Sequence, residues 1–161
     1  MRAHLDDISG VTIGAYAFTA FADTYGDTVA GAELDAVLTP AALAIVPDMN
    51  ELCLLTHLDE LHAMGEPLVG GFTAVDPTTA EPWATLLADN SAGSLAFDAP
   101  LFVAQGGLDQ LILPADTASF VDHERSLGID ATLHPVDIAT HSTIAYLALP
   151  ALERWLDSRG L

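Results

Sequence analysis

The sequence predicts an α/β fold, and three observations carry that prediction. The last third of the chain alternates apolar, β-branched runs with helical patterns in the order βαβα, which favours a parallel sheet. A short β-branched run bounded by glycines, Gly10-Val-Thr-Ile-Gly-Ala15, reads as a further buried strand. The 161 residues are 51% hydrophobic, a length and composition that suit one domain with a substantial core. The expectation is therefore a single domain over residues 1–161, with about three mostly parallel strands, flanking helices and a helix-rich insertion over 32–90.

In chain order, the strand at Gly10–Ala15 is followed from Ala32 to about Asn90 by helical patterning. Its clearest segment opens at Pro47-Asp48, where Asp48 and Glu51 have capping-box spacing and Leu54, Leu55, Leu58 and Leu61 lead to Gly65. A Gly-, Pro- and Thr-rich loop runs from Gly65 to Pro82. Pro82 then stands at the first position of a short helix that carries Leu86 and Leu87 and ends at Asn90. Beyond it come a strand over 101–105, a helix from about Ala115 to Leu127 stopped by Gly128, and a strand over 129–136. A terminal helix with Leu152, Trp155 and Leu156 on one face closes the chain.

Charge excludes one large class of partner. Four arginines, no lysine and 23 acidic residues give a net charge of −19, so the chain lacks the cations that nucleic acid and anionic lipid headgroups require. The acidity suits a high-salt setting, where self-repulsion is screened, and equally a coding bias toward alanine, aspartate and glycine. Cys53 is the single cysteine, so no intrachain disulfide forms, and it reads as a small buried apolar residue. The first residues carry acids where a secretory signal needs a basic start, and every apolar run is interrupted before membrane-spanning length.

Asp109 and His141 are the candidate catalytic residues. Asp109 follows an apolar strand that ends in Gly106-Gly107, and His141 lies just past the next strand. At such carboxyl ends of strands an open α/β sheet presents catalytic side chains. An aspartate beside an imidazole can hold its tautomer and balance the charge it gains as a general base. Each residue also has an ordinary use, Asp109 in a turn and His141 as a turn or capping residue. The serine that would complete a triad is missing: none of the seven serines sits in Gly-x-Ser-x-Gly. Ser142 adjoins the histidine but lacks the glycine elbow of a nucleophile.

The remaining histidines read as structural. His57 and His62 are five apart, which turns them about 140° from one another on a helix and defeats a zinc pair. His123 belongs to a solvated helix face and His134 to a strand edge. No metal and no cofactor is expected.

Taken together, Gly10–Ala15, Trp83, Leu87, Asn90, Pro100-Leu-Phe-Val-Ala-Gln-Gly106, Asp109, Pro114, Thr117, Gly128, His141 and Trp155-Leu156 resemble the secretory, lipase A-like family of α/β-hydrolases. These are carboxylic ester hydrolases acting on triacylglycerols and simpler esters. The resemblance corresponds to the C-terminal half of a family member. It implies Asp109 as triad acid, His141 as general base, residues 32–90 as a lid over the acyl cleft, and secretion.

The family's nucleophile, its elbow and the oxyanion hole fall in the half that would precede Met1. The chain alone is thus expected to be inactive and to self-associate through an open sheet edge. A lipid or small ester is the expected substrate once the missing half completes the site. The competing reading is a noncatalytic binding domain that keeps the scaffold without its chemistry. An in-frame or frameshifted Gly-x-Ser-x-Gly in the DNA upstream of Met1 would decide for the lipase.

Overall fold

Leu101–Gly106 and Ala131–Val136 pair in parallel as β1 and β2, with Leu101 opposite Ala131 and Gly106 opposite Val136. The structure is a computed structural model that describes residues 4, 5 and 7–160. The acids read at the start of the chain thus fall partly outside the described residues. The protein combines several helices with this small two-stranded sheet and divides into two units, Met1–Ser91 and Ala92–Leu161.

In the second unit, α5 (Pro114–Ser126) links the two strands. It starts with proline at its first position, where the missing N–H has no intrahelical partner to lose. It stops at Gly128, whose φ of +87° lies in the left-handed region that glycine enters without a Cβ penalty. Side chains alternate across the strands. Leu101, Val103 and Leu133 pack with Val121, Ile129 and Ala131, together with Phe120 and Leu127.

Phe102 instead meets His134 and Trp155, at ring-centroid distances of 6.0 and 5.5 Å. Trp155 belongs to α7 (Leu149–Asp157), which follows α6 (Ile144–Leu147), and its indole N–H donates to Thr132 Oγ1 at 3.0 Å. The predicted strand, helix, strand and terminal helix of this region are all present, within one or two residues of their expected bounds.

The first unit is helical, and here the expectation changes. Gly10–Ala15 is not a strand: it lies inside α1 (Ile8–Tyr25). Asp7 caps that helix by accepting the Gly10 N–H at 2.9 Å, an interaction worth about 1 kcal/mol. Val11, Ala15 and Phe18, spaced four and three apart, are all buried, which is helical rather than strand periodicity. Thr12 and Thr19 donate to the carbonyls of Ile8 and Ala15 four residues back, so their hydroxyls are satisfied within the helix. The described sheet therefore has two strands, and no edge strand exists at Gly10–Ala15.

The helix expected from Asp48 to Gly65 is also corrected, because two helices share that stretch. α2 (Pro40–Asn50) opens on Thr39, whose hydroxyl accepts the Ala42 N–H, with Pro40 behind it; Asp48 lies in its last turn. It keeps its course through Pro47, which has no N–H for the Leu43 carbonyl, because Ala42, Val46 and Met49 are buried on one face. α3 (Leu58–Gly65) follows after a turn. Of the four leucines expected on one face, Leu61 is buried, whereas Leu55 is 91% exposed.

α4 (Trp83–Asp89) begins one residue later than expected, with Pro82 at its cap rather than at its first position, and ends against Asn90. Trp83 packs edge-on against Phe18 at 5.2 Å and near-parallel to Phe21 at 6.3 Å, amid a core that includes Val37, Leu38, Leu68 and Phe72. Cys53 is exposed rather than buried, because it falls in the turn between α2 and α3. There the Thr56 hydroxyl and the Leu55 and Thr56 N–H groups hold its thiol below the ordinary range. Among the described residues, no helix is long and apolar enough to cross a membrane.

Candidate functional site

The ends of β1 and β2 bring Asp109 and His141 together. β1 finishes at Gly106 and the chain turns through Gly107–Leu113; β2 finishes at Val136 and leads through Asp137 to His141. Backbone hydrogen bonds join the two loops: Gly107 N–H to the Val136 carbonyl and Leu108 N–H to the Ala139 carbonyl, each 2.9 Å. Glycine makes that approach possible. A Cβ on Gly106 would lie 2.5 Å from the Ala139 carbonyl oxygen, and one on Gly107 2.7 Å from that of Asp137. The Gly-Gly pair that reads in sequence as a strand terminus is thus the seat of the second loop.

Asp109 divides its carboxylate between structure and histidine. Oδ1 accepts the N–H groups of Leu111 and Ile112, both at 2.9 Å, and Oδ2 lies 3.0 Å from His141 Nδ1. The aspartate side chain is 4% exposed and the histidine side chain 52% exposed. Burial pushes the Asp109 carboxyl up, but the Ile112 N–H, the His141 ring and the Leu111 N–H outweigh it and hold the group below the usual range. An ionised carboxylate can only accept, so Nδ1 carries the proton of this hydrogen bond. In the neutral ring that leaves Nε2 as a lone pair.

His141 sits just before α6, in a turn closed by Thr143, whose Oγ1 accepts the Thr140 N–H at 2.8 Å, and by the Ile144 N–H on the Thr140 carbonyl. Among the described residues, no serine hydroxyl is hydrogen-bonded to the imidazole. Ser91, Ser119, Ser126 and Ser158 donate to carbonyls three or four residues back. On the same two loops and on α6, the side chains of Leu108, Ile112, Ile138 and Tyr146 are at least half exposed.

Beneath the acid turn lies a buried polar group with no obvious place in an apolar strand. Gln105 accepts the Thr117 hydroxyl and donates from Nε2 to the Gly106 and Ile112 carbonyls, at 2.9 and 3.0 Å. Its signal in the sequence is a glutamine ending Leu-Phe-Val-Ala, which spacing rules for acids and bases pass over. Three other histidines have structural partners: His123 Nε2 is 2.8 Å from the Gly93 carbonyl, His134 stacks on Phe102, and His57 accepts the Cys53 N–H at 3.2 Å. No family model, curated protein or solved structure matches this chain.

Proposed function

We propose that Asp109 and His141 are the acid and base of a catalytic triad in a carboxylic ester hydrolase of the lipase type, whose nucleophilic serine comes from outside these 161 residues. The observation that carries this reading is the 3.0 Å contact between a buried aspartate and the Nδ1 of a half-exposed histidine at the ends of adjacent parallel strands. That pairing leaves Nε2 in the state a general base needs. The exposed apolar side chains on the same loops suit the acyl part of a lipid or simple ester. In this reading the helices between 32 and 90 take the part of the lipase family's lid.

The chemistry assigns each group one task. Nε2 takes the proton of the serine hydroxyl as its oxygen bonds to the ester carbonyl carbon, and Asp109 balances the imidazolium. The imidazolium then returns the proton to the departing alcohol as the ester bond breaks. Water, deprotonated by the same nitrogen, releases the acid and restores the serine. Without the serine and its oxyanion donors, the chain alone turns over no ester.

The test joins the chain to the polypeptide encoded immediately upstream of Met1 and labels the product with a fluorophosphonate. The expected result is label on a serine within Gly-x-Ser-x-Gly of the added segment, lost in D109A and H141A. Label on Ser142, or an upstream sequence without such a serine, overturns the proposal and favours a noncatalytic binding domain. Hydrolysis of a p-nitrophenyl ester by the 161-residue chain alone, abolished by H141A, would also overturn it.

A further inference from the structure

We propose that Gln105, itself held by Thr117, is a positioning residue that fixes the acid turn so that Asp109 Oδ2 meets His141 Nδ1. The inference rests on the reading of Asp109 and His141 as acid and base, and extends that site one layer inward.

Gln105 is 6% exposed and Thr117 8% exposed, so neither answers to solvent. The orientation of the carboxamide is determined by its partners. The carbonyls of Gly106 and Ile112 need donors, which places Nε2 on their side and leaves Oε1 for the Thr117 hydroxyl. The Ile112 residue is consequently held at both ends, its N–H by Asp109 Oδ1 and its carbonyl by Gln105 Nε2. One side chain therefore spans the start and the end of the turn that carries the acid, and Thr117 ties that side chain to the first turns of α5.

The consequence concerns direction more than stability. Asp109 Oδ1 is anchored to the Leu111 and Ile112 N–H groups, so any shift of residues 111–112 swings Oδ2 relative to His141. A glutamine that served only to fill the end of β1 could be replaced without effect on the imidazole. One that positions the acid could not.

The histidine tautomer reads this directly. In the full chain, labelled with nitrogen-15 in histidine, long-range proton–nitrogen spectra in mildly alkaline buffer should show His141 wholly in the Nδ1-protonated form. In Q105L and in the isosteric T117V the same signal should become a mixture containing the Nε2-protonated form, and T117S should restore the wild-type pattern. T117V leaves volume unchanged, so it carries the test if Q105L fails to fold. Folded Q105L and T117V chains that both retain the pure Nδ1-protonated form overturn the inference while leaving the acid–base reading intact. A wild-type chain without that form overturns the acid–base reading itself, and this inference with it.

Discussion

Gly107 lies under Asp137 so closely that a Cβ would stand 2.7 Å from the Asp137 carbonyl oxygen and 2.8 Å from its Cα. Both neighbours are backbone, so neither can rotate away. This proximity holds the loop that carries the acid against the loop that carries the base.

G107A should therefore force the loops apart and break the paired N–H contacts to Val136 and Ala139. Overpacking of this kind costs about 1–3 kcal/mol. Gly71 is a matched control, since nothing lies within 4 Å of a Cβ added there; G71A should stay within about 0.5 kcal/mol of the parent. Urea denaturation of both variants checks the difference, with the nitrogen-15 signal of His141 reporting on the site. Equal stability for G107A and the parent would show that the loops are not held by this approach.

The core of the first unit makes a separable prediction. Trp83 is 1% exposed between Phe18 and Phe21, and its indole N–H has no partner among the described residues. W83A should cost about 3–5 kcal/mol through cavity formation. W83F should cost far less, because the smaller ring also removes a buried donor whose burial penalises folding by about 1–3 kcal/mol. Trp155 is the other tryptophan and lies in the second unit, so its emission follows that unit in either variant. A W83F chain as unstable as W83A would show that the N–H is satisfied.

What could be read ahead of the structure followed the reach of local signals. β1, α5, β2 and α7 were legible because each carries a local periodic pattern, with Gly106 ending β1 and Gly128 stopping α5. α1 was not: the window Gly10–Ala15 holds three β-branched residues between glycines, and only extension to Phe18 shows the four-and-three spacing of buried positions. α2 was misplaced because Asp48…Glu51 mimics a cap, whereas the cap in use is Thr39-Pro40. In the site, Asp109 and His141 were legible from their positions after successive strands. Gln105 was not, since its partners at Ile112 and Thr117 are brought to it by the turn and helix that follow.

Charge sets a third prediction. At −19, like-charge repulsion opposes compaction, and salt shortens its range from about 30 Å at 0.01 M to about 3 Å at 1 M. Thermal unfolding should move upward by several degrees from dilute buffer to molar sodium chloride, with most of the gain complete once screening is short-ranged. A midpoint that does not move would rule out repulsion as a significant opposing force.

The acid itself supplies a pH signature with a definite sign. Burial raises the Asp109 carboxyl, but the Ile112 N–H, His141 and the Leu111 N–H bring it below its ordinary value of 3.8. The folded chain thus binds this proton more weakly than the unfolded chain. Its contribution to stability is full above 3.8 and is lost as pH falls through the lowered folded value. Two other aspartates act in the same direction: Asp7, where burial is outweighed by the Gly10 N–H and His4, and Asp130, through the Arg159 guanidinium.

D109N removes only the Asp109 share. The stability difference between parent and D109N, measured by urea melts from about pH 5 to about pH 2, should therefore shrink as the solution is acidified. H141A takes away one of the groups that lower the carboxyl but leaves both N–H donors, so its folded value moves back toward 3.8, and its acid-induced loss should be smaller than the parent's and complete at a higher pH. A parent–D109N difference that is constant over this range would mean that Asp109 is not held as a carboxylate by this turn.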